Sequence, residues 1–189
     1  MDELVNYSEK LMQEASEKEW IERAKENPRW FEPLYDKYFS QIFRFLYKRH
    51  ADEIVTAEIC SEVFYKALIK IKHYKDKGFP FSSWLYKIAL NESNQAFRKK
   101  KYHRVIPLDL LKSENLFDEF PLEDSQHDVE ALKWAVQSLK PKELDIIELR
   151  FFNEMSFKEV ARVLNITENN AKVKCYRILD KLRIKMNVK

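Results

Sequence analysis

The chain predicts an all-α protein: two small helical domains joined by an acidic linker, the second a four-helix domain ending in a helix-turn-helix. Three observations carry this. A single glycine, Gly78, in 189 residues leaves no material for a sheet built on tight glycine turns. Apolar residues recur at helical spacing along most of the chain. Charge is partitioned: residues 1–104 hold 20 lysines and arginines against 16 acids, residues 105–130 hold 1 against 8, and residues 131–189 hold 13 against 7. Two basic blocks around an acidic one suit a polyanion partner for the flanks.

Residues 1–16 form a weakly specified extension with no assigned role. Helices then follow at 17–26, closed by Asn27-Pro28, and at 30–49, 52–73 and 82–101. In the third, Ile59, Cys60, Val63, Phe64, Ala67, Leu68 and Ile71 make one stripe, while Glu58, Glu62, Lys66 and Lys70 fall elsewhere. The stripe is core. Gly78 and Pro80 break the chain before the fourth helix, where Ser82 or Ser83 is a candidate cap. Residues 105–127 carry Pro107, Pro121 and dense acid without a helical period, which is linker chemistry and divides domains 17–104 and 128–189.

The second domain predicts helices at 128–139, 141–152, 156–164 and 167–186. Pro141 suits a first helical position, where its missing N–H costs nothing. Ser156 and Glu159 have the spacing of a capping box. Asn165 is a turn residue that tolerates positive φ, and Thr167 caps the last helix. Two helices on a short turn, the second basic, make a helix-turn-helix.

Facing locates the candidate sites. Ala171, Cys175, Ile178, Leu179 and Leu182 share one side of the last helix; Asn169, Asn170, Lys172, Val173, Tyr176 and Arg177 lie away from it. That outward set matches a major groove: asparagine pairs adenine, valine touches a thymine methyl, and lysine or arginine reaches guanine or phosphate. A solvated charged face is the plainer alternative. Arg183, Lys185 and Lys189 extend the basic stripe as backbone contacts or a charged tail.

Residues 75–104 are the second candidate. Trp84, Leu85, Ile88 and Ala89 make a core stripe, and Lys87, Asn91, Asn94 and Arg98 line the other side, followed by Lys99 and further lysines. Lys75, Lys77 and Phe79 in the preceding loop supply cations and a π-face, which single-stranded nucleic acid uses; Phe81, close to Trp84, reads as core. No phosphate-binding glycine loop, HExxH or GxSxG occurs, so no catalytic residue, cofactor or metal is expected. Cys60 and Cys175, 115 positions apart, read as buried free thiols, and the four histidines are scattered. The acidic start and the absence of an 18-residue apolar run predict a cytoplasmic chain with no membrane partner.

The segment AEICSEVFYKAL (57–68), with FPFSSWLYKIALN (79–91) and its basic run, resembles region 2 of extracytoplasmic-function (ECF) sigma factors, the small promoter-specificity subunits of bacterial RNA polymerase. MSFKEVARVLNITENNAKVKCYRILDKLR (155–183) is similar to their region 4. The resemblance implies that Glu58, Ser61 and Glu62 meet the β′ clamp of core polymerase. It implies that residues 75–83 capture a flipped minus-10 base, with Asn91 facing that DNA. It implies that Asn170, Lys172, Val173, Lys174, Tyr176 and Arg177 read minus-35 DNA, with the same domain docking on the β flap. It also allows an anti-sigma factor as a partner, and a linker that threads toward the polymerase active centre, although an ordinary solvated linker fits the same charge. The expected function is an ECF-type sigma factor that directs promoter-specific initiation; the alternative is a stand-alone helix-turn-helix regulator confined to residues 128–189.

Overall fold

The computed structural model describes residues 15–100, 116, 119–120 and 126–187, which are mostly helical with no strand among them. Residues 1–14 of the N-terminal extension and most of the predicted linker lie outside the described residues. The chain divides into two compact units between Tyr102 and His103.

In the first unit α1 (Glu17–Ala24) is followed by a 3-10 turn (Pro28–Phe31), α2 (Glu32–His50), α3 (Glu53–Lys70), a second 3-10 turn (Ile71–His73) and α4 (Phe81–Lys100). Ser16 starts α1 with a capping box: its hydroxyl accepts from the Glu19 N–H, and the Glu19 carboxylate accepts from the Ser16 N–H at 2.8 Å. Asp52 caps α3 by accepting from the Val55 N–H at 2.9 Å. The core lies between α2, α3 and α4, where Leu34, Ile42, Phe45, Val63, Ala67, Phe81 and Leu85 are buried. Each fully buried large apolar side chain contributes about 1.5–3 kcal/mol, offset by the entropy of ordering the chain.

That core also holds a buried cation. Arg49, 1% exposed, donates from Nε to Ser93 Oγ and from Nη2 to Asn94 Oδ1, both at 2.8 Å, with its guanidinium over Phe45. It thereby ties the end of α2 to the middle of α4. The expected serine cap of α4 is corrected: the helix begins at Phe81, so Ser83 sits inside its first turn, buried, with its hydroxyl lacking a hydrogen-bond partner. Phe81 is core, as its place beside Trp84 predicts; the rings are 5.3 Å apart.

The second unit contains α5 (Gln126–Gln137), α6 (Pro141–Ile147), a π-helical turn (Glu148–Phe152), α7 (Phe157–Leu164) and α8 (Glu168–Asn187). Pro141 is at the helix start, Ser156 and Glu159 form the capping box, and Asn165 is left-handed at φ 55°. Thr167 Oγ1 accepts from the Asn170 N–H at 3.2 Å. Two differences from expectation have physical causes. The predicted helix 141–152 is α-helical only to Ile147 and closes as a wider turn, in which the Asn153 N–H reaches Glu148 O at 3.0 Å. Leu116 and Phe120, placed by composition in the linker, are 0% and 6% exposed and belong to the apolar cluster that includes Leu132, Leu139, Phe152 and Leu182. Proline and acid mark a break in periodicity; they do not stop two apolar side chains from docking.

Candidate nucleic-acid interface

Burial sorts α8 into two faces. Ala171, Cys175, Leu179 and Leu182 are 0% exposed and Ile178 4%, while Asn169, Asn170, Lys172, Val173, Lys174, Tyr176 and Arg177 are all exposed. The side chains of α8 that the facing argument puts together are together. Lys172 makes an i,i+4 ion pair with Glu168 at 3.3 Å, an exposed pair of a kind that contributes little and exchanges readily for another anion. The Tyr176 ring lies 6.1 Å from that of Phe157 at the start of α7, and the Lys172 ammonium 6.0 Å from the same ring. Arg183 does not extend the stripe: it donates to Asp180 Oδ1 and to Glu119 O at 2.8 and 2.9 Å and lies over Phe120. The arginine is occupied in holding residues 119–120 against α8.

The first unit treats its predicted residues less uniformly. Lys75 and Lys77 are exposed in the loop, Gly78 takes φ 71°, and Asp76 Oδ1 accepts from the Gly78 N–H at 2.8 Å, which sets the turn. Phe79 is half-buried. Along α4, Asn91 and Arg98 are exposed but Lys87 and Asn94 are half-buried, and Asn94 accepts from buried Arg49. The expected polar line is therefore broken at Asn94, which carries a structural bond. Lys99 lies on another side of the helix, in a groove between α3 and α4 that Glu58, Glu62, Lys66 and Glu92 also line. There Lys66 pairs with Glu92 at 2.6 Å and Glu62 at 3.0 Å, and these two carboxylates hold its ammonium pKa above the ordinary lysine value.

Glu58, Ser61 and Glu62 are exposed on α3. The same face shows Ile54, Tyr65 and Ile69, exposed by 75%, 59% and 54%, which is more apolar surface than a solvated helix face needs. A reading from charge misses these three. Their signal is the spacing: 54, 58, 61, 65 and 69 step by 4, 3, 4 and 4.

A small pocket of about 90 Å³ opens between α1 and the loop, with Ile21 and Glu22 on one side and Tyr74, Asp76, Phe79 and Phe81 on the other. Helix α1 is pinned by Glu17, whose carboxylate accepts from the Tyr38 hydroxyl at 2.6 Å and pairs with Lys37. Burial, then the Glu17 carboxylate, pushes the Tyr38 hydroxyl pKa up. Both cysteines are buried free thiols with pKa values pushed up by burial to about 11, so neither is a reactive nucleophile. Among the described residues no cluster of His, Cys, Asp or Glu has the composition of a metal site, and no helix is long and apolar enough to cross a membrane.

The family description Sigma-70 region 2 matches residues 34–102, and Sigma-70, region 4 matches residues 130–182. The chain belongs to the ECF group of sigma-70 family sigma factors. The ECF RNA polymerase sigma factor SigM of Bacillus subtilis is 27% identical over 157 residues, covering 82% of this chain and 93% of that protein. SigW of the same organism is 26% identical, covering 81% and 87%. BldN of Streptomyces coelicolor is 28% identical over 80% of this chain, which spans 58% of that longer protein. The fold is shared with CnrH, solved in complex with the cytosolic domain of CnrY, at a TM-score of 0.61 and 18% identity over 90% of this chain and 96% of that one. It is shared also with RpoE of Bartonella quintana, solved with the anti-sigma factor NepR, at a TM-score of 0.55 and 18% identity over 84% and 98%. This ECF sigma factor is thus a DNA-binding protein of transcription initiation.

Proposed function

We propose that this sigma factor binds core RNA polymerase through α3, reads duplex minus-35 DNA with α8, and opens the minus-10 element with α4 and the loop before it. The observation that carries the reading is the clean separation of α8 into a fully buried apolar face and an exposed face of asparagine, valine, tyrosine and cations. On that face Asn169, Asn170 and Lys172 have the chemistry for base edges, Val173 for a thymine methyl, and Lys174 and Arg177 for phosphate or guanine. Glu58, Ser61 and Glu62, flanking Ile54, Tyr65 and Ile69, give α3 the apolar centre and polar rim of a protein-docking surface for the β′ clamp. The second unit docks on the β flap in the same assembly.

Lys75, Lys77, Phe79, Lys87, Asn91 and Arg98 form the minus-10 surface, with Lys99 a backbone contact. Asn94 acts there through Arg49, holding the helix that presents Asn91. Opening is a balance of binding energies: unstacking a base costs a few kcal/mol, and stacking it on protein returns about 1–3 kcal/mol per base. The protein carries out no chemistry of its own and works in the cytoplasm, where core polymerase and promoters are. An anti-sigma factor is a further partner, proposed on family membership.

In vitro transcription with core polymerase and the protein's own upstream region tests this. Promoter-dependent transcript is expected; none from a competent core would overturn it. Asn170→Ala or Lys172→Ala should cost about 1–3 kcal/mol at one minus-35 position, while Lys99→Ala should weaken all promoters alike and lower the salt slope by about one. Equal losses on every promoter from the first pair would refute the assignment of α8.

A further inference from the structure

We propose that α1, which precedes the part of the chain matched as region 2, forms the second wall of the base-capture pocket, and that Glu22 and Asp76 make the pocket selective for an amino-bearing base. The inference rests on the reading of residues 75–83 as the capture loop. To that loop it adds a wall, two readers and a base class.

The pocket is a composite. The matched region begins at residue 34, yet Ile21 and Glu22 of α1 face Tyr74, Asp76, Phe79 and Phe81 across a space of about 90 Å³. Ile21 is 7% exposed and Phe81 1%, so the inner end is apolar and firm, and half-buried Phe79 adds an aromatic ring to the lining. The wall is held in register by Glu17: its carboxylate takes the Tyr38 hydroxyl and pairs with Lys37, which fixes α1 to α2. With those partners Glu17 is a pillar and not a reader.

Charge decides which part of a nucleotide enters. Glu17, Glu22 and Asp76 line the space with Lys18 as the one cation among the lining residues, so a phosphate is repelled there. Lys75 and Lys77, exposed on the loop outside it, are where the backbone belongs. A base presents no charge, and an apolar floor with aromatic walls suits its face.

Carboxylates accept and do not donate, so the edge they favour carries an N–H₂ group, as adenine, cytosine and guanine do, and thymine, with carbonyls flanking its ring N–H, is the poorest match. Glu22 and Asp76 are available for this. Glu22 is held by Lys25 in a surface i,i+3 pair at 2.7 Å, which yields readily, and a carboxylate with about four acceptor sites keeps capacity after Asp76 satisfies the Gly78 N–H.

The test is transcription by the reconstituted holoenzyme from templates in which each position of the minus-10 element is varied through all four bases. The wild type should favour an amino-bearing base over thymine at one position. Glu22→Gln and Asp76→Asn should reduce that preference at least about fivefold at that position alone, because the amide can donate to a thymine carbonyl. The amide oxygen of the Asp76→Asn variant would still accept from the Gly78 N–H, so the turn survives, and a purely structural effect would lower output from all templates equally. Phe79→Ala separates capture from selectivity. If it alters selectivity at one position while both amide variants leave every position unchanged, capture stands and the role of α1 is overturned. If Phe79→Ala also changes no position, the capture reading itself falls and this inference with it.

Discussion

The two units hold α4 and α8, the helices proposed to face DNA, by different means. In the first, α4 is tied from behind by a buried cation: Arg49 reaches Ser93 Oγ and Asn94 Oδ1, and His50 stacks on Phe97 at 4.4 Å with its Nε2 2.9 Å from the same serine hydroxyl. In the second, α8 is held by an apolar stripe, and its polar ties lie toward the far end, Lys181 to Glu143 and Arg183 to Glu119. The consequence is a difference in how separable function is from stability. The exposed residues of α8 carry almost no structural duty, so substitutions there would alter the proposed DNA contacts without refolding the domain. On α4 a residue of the proposed minus-10 line, Asn94, is also a member of the packing, so changing it would disturb both.

The largest expected effect tests where the second unit ends. Phe120→Ala should destabilise that unit by about 3 kcal/mol, because a ring 6% exposed leaves a cavity and the Arg183 guanidinium loses its platform. A linker residue would cost nothing. Urea denaturation followed by a probe in the second unit distinguishes these, and a stability change within about 0.5 kcal/mol would place residue 120 back among solvated surface positions.

That position also shows what sequence can and cannot reveal. Helix periods, the Ser156–Glu159 box, the Asn165 turn and both faces of α8 were legible because each depends on residues within one or two turns of each other. Leu116 and Phe120 were not, since their burial depends on α8 more than 50 positions away. The Arg49 network was hidden for the same reason: an arginine among Lys48 and His50 looks like a charged helix end until α4 is laid against it. Ser16 is a different case. The helix start at residue 17 was legible, but its Ser-x-x-Glu box, as local as the one at Ser156, went unnamed because Ser16 falls at the edge of the polar extension.

A smaller effect sharpens the contrast between neighbouring asparagines on α4. Asn94→Ala should lower the stability of the first unit by about 1–2 kcal/mol, since it leaves a buried guanidinium N–H without its acceptor. Asn91→Ala, at an exposed position, should leave stability within about 0.5 kcal/mol and act on minus-10 opening alone. Thermal denaturation and transcription of the same two proteins separate the roles. Equal stability of both variants would dissolve the distinction between a residue of the line and a residue of the packing.

The smallest effect concerns pH and follows from the exposed character of the ties on α8. Burial raises the Glu143 pKa, but the ammonium of Lys181, 2.7 Å from Oε2, and the Lys140 N–H at 2.8 Å outweigh it, so the carboxyl sits below its ordinary value. A folded pKa below the unfolded one means that the stabilisation is present above the ordinary glutamate range and is lost as pH falls through the lowered folded value. Both side chains are partly solvated, at 26% and 34% exposure, so screening holds the contribution to about 0.5 kcal/mol. Lys181→Met should therefore flatten the acid limb of the second unit's stability curve below about pH 4.5 while changing little at pH 7 beyond that half kcal/mol. The bonds from Arg49 to Ser93 and Asn94 offer no equivalent, because a guanidinium does not titrate in this range and a hydroxyl and an amide are neutral. An acid limb unaltered by Lys181→Met would show that the Lys181–Glu143 pair adds nothing to the hold on α8, leaving the apolar stripe and the Arg183–Glu119 bond, and the contrast between the two units would then be sharper.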